Sequence, residues 1–207
     1  LQQIDHPFND SCAAFNEASY DLISELSPKA VIVTGRWALA LEGSRFDNWE
    51  GGVEYGDDAP RVLSSQATAE NVPDQITHSL TELAHRTGRL IVMTQIPEAG
   101  WHAPDAYVKQ LLWGEGSLSL STSHARYRER NILPDAIWQK LTDIANISVF
   151  SSDEVFCNTA QPGRCMNAVG DAIYYSDDDH VSPLGAMMLA DRLLDALPPL
   201  TASTEKK

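Results

Sequence analysis

The sequence predicts an α/β fold, a three-layer αβα sandwich around a parallel sheet. Three observations predict it. Apolar segments of strand length alternate with segments of helical periodicity. The strand segments, AVIVT at Ala30–Thr34, LIVMTQI at Leu90–Ile96 and ISVF at Ile147–Phe150, read as apolar runs rather than as alternating ones. Strands covered by helices on both faces have that character. Finally, 207 residues with 43% apolar content suffice for one well-buried core.

The elements follow in order. Cys12–Leu26 carries Ala14, Phe15, Ala18, Leu22, Ile23 and Leu26 at helical spacing, and Ser27-Pro28 ends it. Ala30–Thr34 is the first buried strand. A loop rich in Gly, Asp and Asn leads to a helix over Val72–Arg86, stopped by Gly88. The strand Leu90–Ile96 is closed by Pro97. Helices are expected over Pro104–Leu112, Ser123–Arg130 and Pro134–Ala145, the last with Asn131 as its cap. Ile147–Phe150 is the third strand and Ala172–Tyr175 a shorter fourth. Ser182-Pro183 opens the final helix, a capping residue followed by proline at the first helical position, and this helix runs to Leu197. A single domain over residues 1–200 is expected, followed by a polar, disordered tail, Thr201–Lys207.

Composition excludes several functions. The net charge is −14, from 29 acidic and 15 basic residues, and no basic stripe occurs, so nucleic-acid binding is not expected. No run of about 18 apolar residues is present to span a membrane. The opening LQQIDHPFND has neither the basic nor the apolar region of a signal peptide. Cys157 and Cys165 bracket NTAQPGR, whose Pro162-Gly163 turn brings two thiols together, so a disulfide is expected in an oxidising compartment. Cys12 is then the odd cysteine, and its partner is expected upstream of Leu1.

In parallel α/β sheets, sites form beyond the carboxyl ends of the strands. Three segments qualify: Gly35-Arg36-Trp37, Glu98–His102 and Ser176–His180. The third carries chemistry. A histidine acting as general base needs a carboxylate to fix its tautomer and stabilise the imidazolium. In YYSDDDHVSPLGA, Asp177, Asp178 and Asp179 all precede His180 on a loop ahead of a helix. The plainer alternative is a solvated acidic loop capping that helix. No calcium-loop glycine spacing is present, so neither a metal nor another cofactor is expected.

The segment YSDDDHVSPLGA resembles the closing motif of SGNH hydrolases, where an Asp-x-x-His pair precedes the terminal helix. More narrowly, the chain is similar to the SGNH domains fused behind acyltransferase family 3 membrane domains. Cys12 with FNEASYDLI, VIVTGRWALALEG at Val31–Gly43, VMTQIPEAG at Val92–Gly100 and FCNTAQPGRC all match that subgroup. The resemblance runs from about Cys12 to Leu194. It implies a flavodoxin-like sandwich and Ser–His–Asp acyl chemistry, with Asp177 orienting His180. It also implies a periplasmic or extracytoplasmic location, a membrane acyltransferase domain in the same or a longer polypeptide, and a glycan or acyl-ester substrate. In the family's second block a glycine amide serves the oxyanion hole, which points to Gly35 or Arg36, with Trp37 beside them.

One departure is large. The family's Gly-Asp-Ser block, which carries the nucleophile at the end of the first strand, does not occur here. Ser11, Ser44, Ser121 and Ser123 do not follow a buried strand, and the Gly-x-Asn-Asp block is also absent. The first, central strand is therefore expected to lie upstream of Leu1. Loss of a triad serine costs about six orders of magnitude in turnover, so the chain alone is expected to be inactive. A competing reading is a glycan-binding or assembly module that kept the fold without the nucleophile. Trp49, Trp101 and Trp113 are candidates for sugar stacking, and Glu98 and His102 for the acceptor site. Met187 and Met188 read as packing residues on the last helix.

Overall fold

The computed structural model describes residues 9–55, 72–114 and 119–196. The expectations for Leu1, for the side chain of Cys12, for the end of the last helix at Leu197 and for the tail 201–207 lie outside those residues. Three strands form a parallel sheet: β1 (Val31–Val33), β2 (Leu90–Met93) and β4 (Ile147–Phe150), ordered β1-β2-β4. Val31 pairs with Leu90, and Leu90 with Ile147. β2 is central, with Leu90, Ile91 and Val92 all essentially inaccessible.

The pleat of β2 divides the core. Leu90 and Val92 face α2 (Trp37–Glu42), α3 (Val72–Ala84) and α6 (Ile132–Leu141) through Leu41, Ile76, Leu80, Ile137 and Leu141. Ile91 faces the opposite layer, built from α4 (Ala103–Trp113), α7 (Asp153–Phe156) and α8 (Pro183–Ala196) through Ala103, Phe156 and Leu189. Each of the larger of these side chains contributes about 1.5–3 kcal/mol on burial. Helices thus cover both faces of a parallel sheet, the arrangement of a flavodoxin-like α/β sandwich. α1 (Asn9–Leu26) packs Tyr20 and Ile23 against the first layer and leaves Phe15, Leu22 and Leu26 exposed.

The structure corrects two expectations of topology. The strand near Ala172 is β6 (Ala172–Ile173), and it belongs to a second, antiparallel sheet, β3-β5-β6, with β3 (Ser119–Ser123) and β5 (Arg164–Val169). Gly170, at φ +55°, turns the chain back so that Val169 pairs with Ala172. Secondly, Asn131 precedes α6 without capping it, because its Nδ2 donates to the Tyr127 carbonyl at the end of α5 (His124–Arg130). Ser182 does behave as a cap, accepting from the Gly185 amide and donating to the Ile173 carbonyl at 2.7 Å.

The cysteines Cys157 and Cys165 form a disulfide that closes the entry to β5. Among the described residues no helix is long and apolar enough to cross a membrane.

Candidate active site

The loop Tyr174–Ser182 is anchored from beneath and from the side. Tyr175 is buried and donates to the Pro97 carbonyl at 2.6 Å. The amides of Ala99 and Ala103, in the segment leaving β2, donate to the carbonyls of Asp178 and Asp177. Tyr175 bridges Val181, and the Ser176 amide donates to the His180 carbonyl, which closes the loop on itself. Gly185 lets α8 approach this loop closely, since a Cβ there would overlap the Tyr174 carbonyl. The loop therefore reaches the carboxyl end of the parallel sheet although the strand before it belongs to the other sheet.

The loop folds around Asp177. Its Oδ1 accepts from the amides of Asp179 and His180, at 3.0 and 2.7 Å, and its Oδ2 accepts from His180 Nδ1 at 2.9 Å. Partial burial pushes the Asp177 carboxyl up, but the two amides and the imidazole outweigh it and hold it below the usual range. Asp179 Oδ1 lies 3.0 Å from the same imidazole nitrogen. Asp178 points elsewhere and accepts from the Tyr55 amide. The nearby negative charge of Asp179, then the hydrogen bond to Asp177, raise His180 above its ordinary value. The ring itself is 72% exposed.

His180 opens on a cleft of about 340 Å³ whose other walls include Thr34, Gly35, Arg36, Gln95 and Glu98. The ring thus stands on the same edge of the sheet as the Gly-Arg-Trp turn. Gly35 lines the cleft. Arg36 spends its guanidinium on three carboxylates: Glu54 at 2.6 Å, Glu98 at 3.2 Å and Asp179 at 2.7 Å. Trp37 turns away, meeting Trp138 edge-on and donating its indole N–H to the Met93 carbonyl.

Other expected residues fall at different places. His102 caps α4, its Nδ1 accepting from the Asp105 amide at 3.4 Å. Trp101 donates to Asn167, Trp49 stacks under Arg126, and Trp113 is exposed at the end of α4. Ser44 and Ser121 hydroxyls accept from Arg130 and Arg164, and Ser123 caps α5. Thr34 is the hydroxyl-bearing residue in the walls of the His180 cleft.

Reading the sequence did not find Glu54 and Arg130, and it offered Asp179 as an alternative to Asp177 where the structure sets both beside His180 Nδ1. Glu98 is 3% exposed and is paired with Arg130, itself buried, at 3.2 Å. Burial still raises the Glu98 carboxyl, with Arg130 and Arg36 opposing. Arg130 also reaches Glu42 at 2.5 Å and the Ser44 carbonyl at 2.6 Å. A charge-rich stretch such as HARYRER gives no sign that its last arginine is buried.

Comparison with known proteins adds the family. The model for the SGNH domain fused to AT3 domains matches residues 1–195. No curated protein sequence matches the chain. Among solved structures, the periplasmic domain of the lipopolysaccharide acetyltransferase of Salmonella ser. Paratyphi A is similar, with a TM-score of 0.59 and 14% sequence identity. That likeness covers 88% of this chain and 61% of the other. At that identity it shows a shared fold. The chain belongs to the family of SGNH domains fused to AT3 domains.

Proposed function

We propose that this chain supplies the general base of an SGNH-type acyl-transfer site, moving an acyl group, acetyl in the first instance, to or from a hydroxyl of a cell-surface glycan. One observation carries the reading: His180 Nδ1 is tied to Asp177 at 2.9 Å while the ring opens on a cleft shared with Gly35. That is the arrangement a base needs, one nitrogen held and the other directed at a reactant. The family's fusion to AT3 domains and the name of the Salmonella neighbour support the acyl-transfer class.

In this reading the nucleophilic serine comes from a Gly-Asp-Ser segment elsewhere in the full-length polypeptide. His180 Nε2 takes the serine proton as the oxygen attacks the acyl carbonyl, and Asp177 stabilises the imidazolium. The carbonyl oxygen gathers negative charge, and the Gly35 amide is the donor assigned to it, since the Arg36 guanidinium is already engaged. The imidazolium then returns its proton to the leaving oxygen. The acyl-serine is resolved when His180 deprotonates an acceptor hydroxyl, a sugar in transfer or water in hydrolysis. The site works outside the cytoplasmic membrane, with the fused membrane domain delivering the acyl group.

The test is turnover of p-nitrophenyl acetate by a polypeptide carrying the serine segment, with an acetyl-protein adduct detected by mass spectrometry. A second reading, a glycan-binding or assembly module, draws on the absence of a serine among the described walls of the cleft. It requires glycan binding that survives Asp177→Ala and no acetyl adduct in the serine-bearing polypeptide.

A further inference from the structure

Two carboxylates meet one nitrogen of His180. Asp177 Oδ2 accepts from Nδ1 at 2.9 Å, and Asp179 Oδ1 stands 3.0 Å from the same atom. A general-base histidine needs one orienting acid, so the second calls for a separate explanation. The two acids differ in their surroundings. Asp177 is about a third exposed and is fixed by backbone amides of its own loop. Asp179 is 7% exposed, and its other oxygen meets Arg36 Nε at 2.7 Å. A buried carboxylate that lacks a cation gives up its charge. Arg36 is in turn rooted in Glu54, next to Val53 where the chain bridges back to Asp47, and in Glu98, beyond β2; both glutamates are almost fully buried.

We propose that Asp179 is a second acid partner of His180, and that Arg36 is a positioning residue holding Asp179 against the imidazole. The inference rests on His180 being the base. Asp177, which makes the aligned hydrogen bond, sets the tautomer and direction of the ring. Asp179 acts through its charge on the imidazolium that forms when the serine proton arrives. The charged groups facing the ring are Asp177 and Asp179, with Arg36 behind the latter. Asp178 turns to the Tyr55 amide, and Glu54 and Glu98 lie across the guanidinium. Electrostatics agree with this division. The charge of Asp179 is the largest influence raising His180, and Arg36 opposes it. Burial pushes Asp179 up to about 6, with Arg36 as the first opposing influence. Arg36 therefore keeps Asp179 ionised at the pH where the base operates.

The experiment is an NMR titration of the 207-residue chain with labelled histidine imidazoles and aspartate carboxyls. Asp179→Asn is expected to lower the midpoint of His180 while the amide signals of α8 stay in place. Arg36→Met is expected to raise the midpoint of Asp179 itself, a readout that does not depend on the first variant folding. A His180 midpoint unmoved by Asp179→Asn, or an Asp179 midpoint unmoved by Arg36→Met, overturns the proposal. Titration needs no turnover, so failure here leaves acyl transfer standing, and an inactive serine-bearing polypeptide leaves this pairing standing.

Discussion

Asp177 engages His180 through both carboxylate oxygens, Oδ1 with the backbone amide at 2.7 Å and Oδ2 with Nδ1 at 2.9 Å. One side chain therefore shapes the loop and aims the ring. These two tasks separate on amidation. In Asp177→Asn the Oδ1 oxygen still accepts from the amides of Asp179 and His180, but an Nδ2 donor faces Nδ1 and favours the wrong tautomer. Turnover by the serine-bearing polypeptide is expected to fall about 10⁴-fold, with the melting temperature nearly unchanged. Steady-state kinetics beside a thermal melt checks this.

The buried acid Asp179 gives stability a definite dependence on pH. Burial pushes its carboxyl up to about 6 in the fold, from an ordinary value of 3.8. Between those values the folded state holds a proton that the unfolded state has released, so the group's contribution to stability falls as pH rises through the window. Asp179→Asn removes this penalty. The variant is expected to gain stability relative to the parent at pH 8 but not at pH 4, with a ceiling of about 3 kcal/mol. Urea melts at the two pH values measure it.

Arg130 is the structural counterpart of that chemistry. It is 1% exposed and neutralises Glu98 and Glu42 while donating to the Ser44 carbonyl. Arg130→Met removes one of the two cations beside buried Glu98, leaving it Arg36, at an expected cost approaching about 3–5 kcal/mol. Glu98→Gln is expected to cost less, because Arg130 keeps Glu42 and Ser44. Urea midpoints of the two variants rank them.

Much of the frame was legible from residues alone. AVIVT, LIVMTQI and ISVF give β1, β2 and β4 because a strand covered on both faces has little room for polar side chains. Ser182-Pro183 marks the start of α8 because a side-chain oxygen and a fixed φ suit a helix entry. The antiparallel sheet was not legible. SLSTS is mostly polar and RCMNAV carries a buried asparagine, and long-range partners hold some of these groups: Arg164 reaches Ser121 and Glu50, and Trp101 donates to Asn167. The site divides in the same way. Asp177 and His180 are local, three residues apart on one loop, and the likeness of YSDDDHVSPLGA to the SGNH closing motif, rather than spacing alone, chose Asp177 among three aspartates. The cluster of Arg36, Glu54, Glu98 and Arg130 joins residues up to 94 positions apart (36 to 130), and no periodicity carries that information.

The disulfide holds the hairpin that precedes the loop. Cys157 and Cys165 are both buried beside Tyr127 and are separated by 8 positions. Closing a loop of that length in the unfolded chain is worth about 2.5 kcal/mol on the chain-entropy account. Reduction, or the double substitution Cys157→Ala with Cys165→Ala, is expected to lower the melting temperature by several degrees. Melts with and without a thiol reductant check this, and the double variant should be indifferent to the reductant.

Kinetics of His180→Ala in a polypeptide that carries the serine segment is the most direct test of His180 as the base, read as kcat/KM on p-nitrophenyl acetate across pH. The parent is expected to lose activity as pH falls through a midpoint above the ordinary imidazole value of 6.5, and the alanine variant to stand near background throughout. An alanine variant with the parent's rate and the parent's acid limb would contradict it.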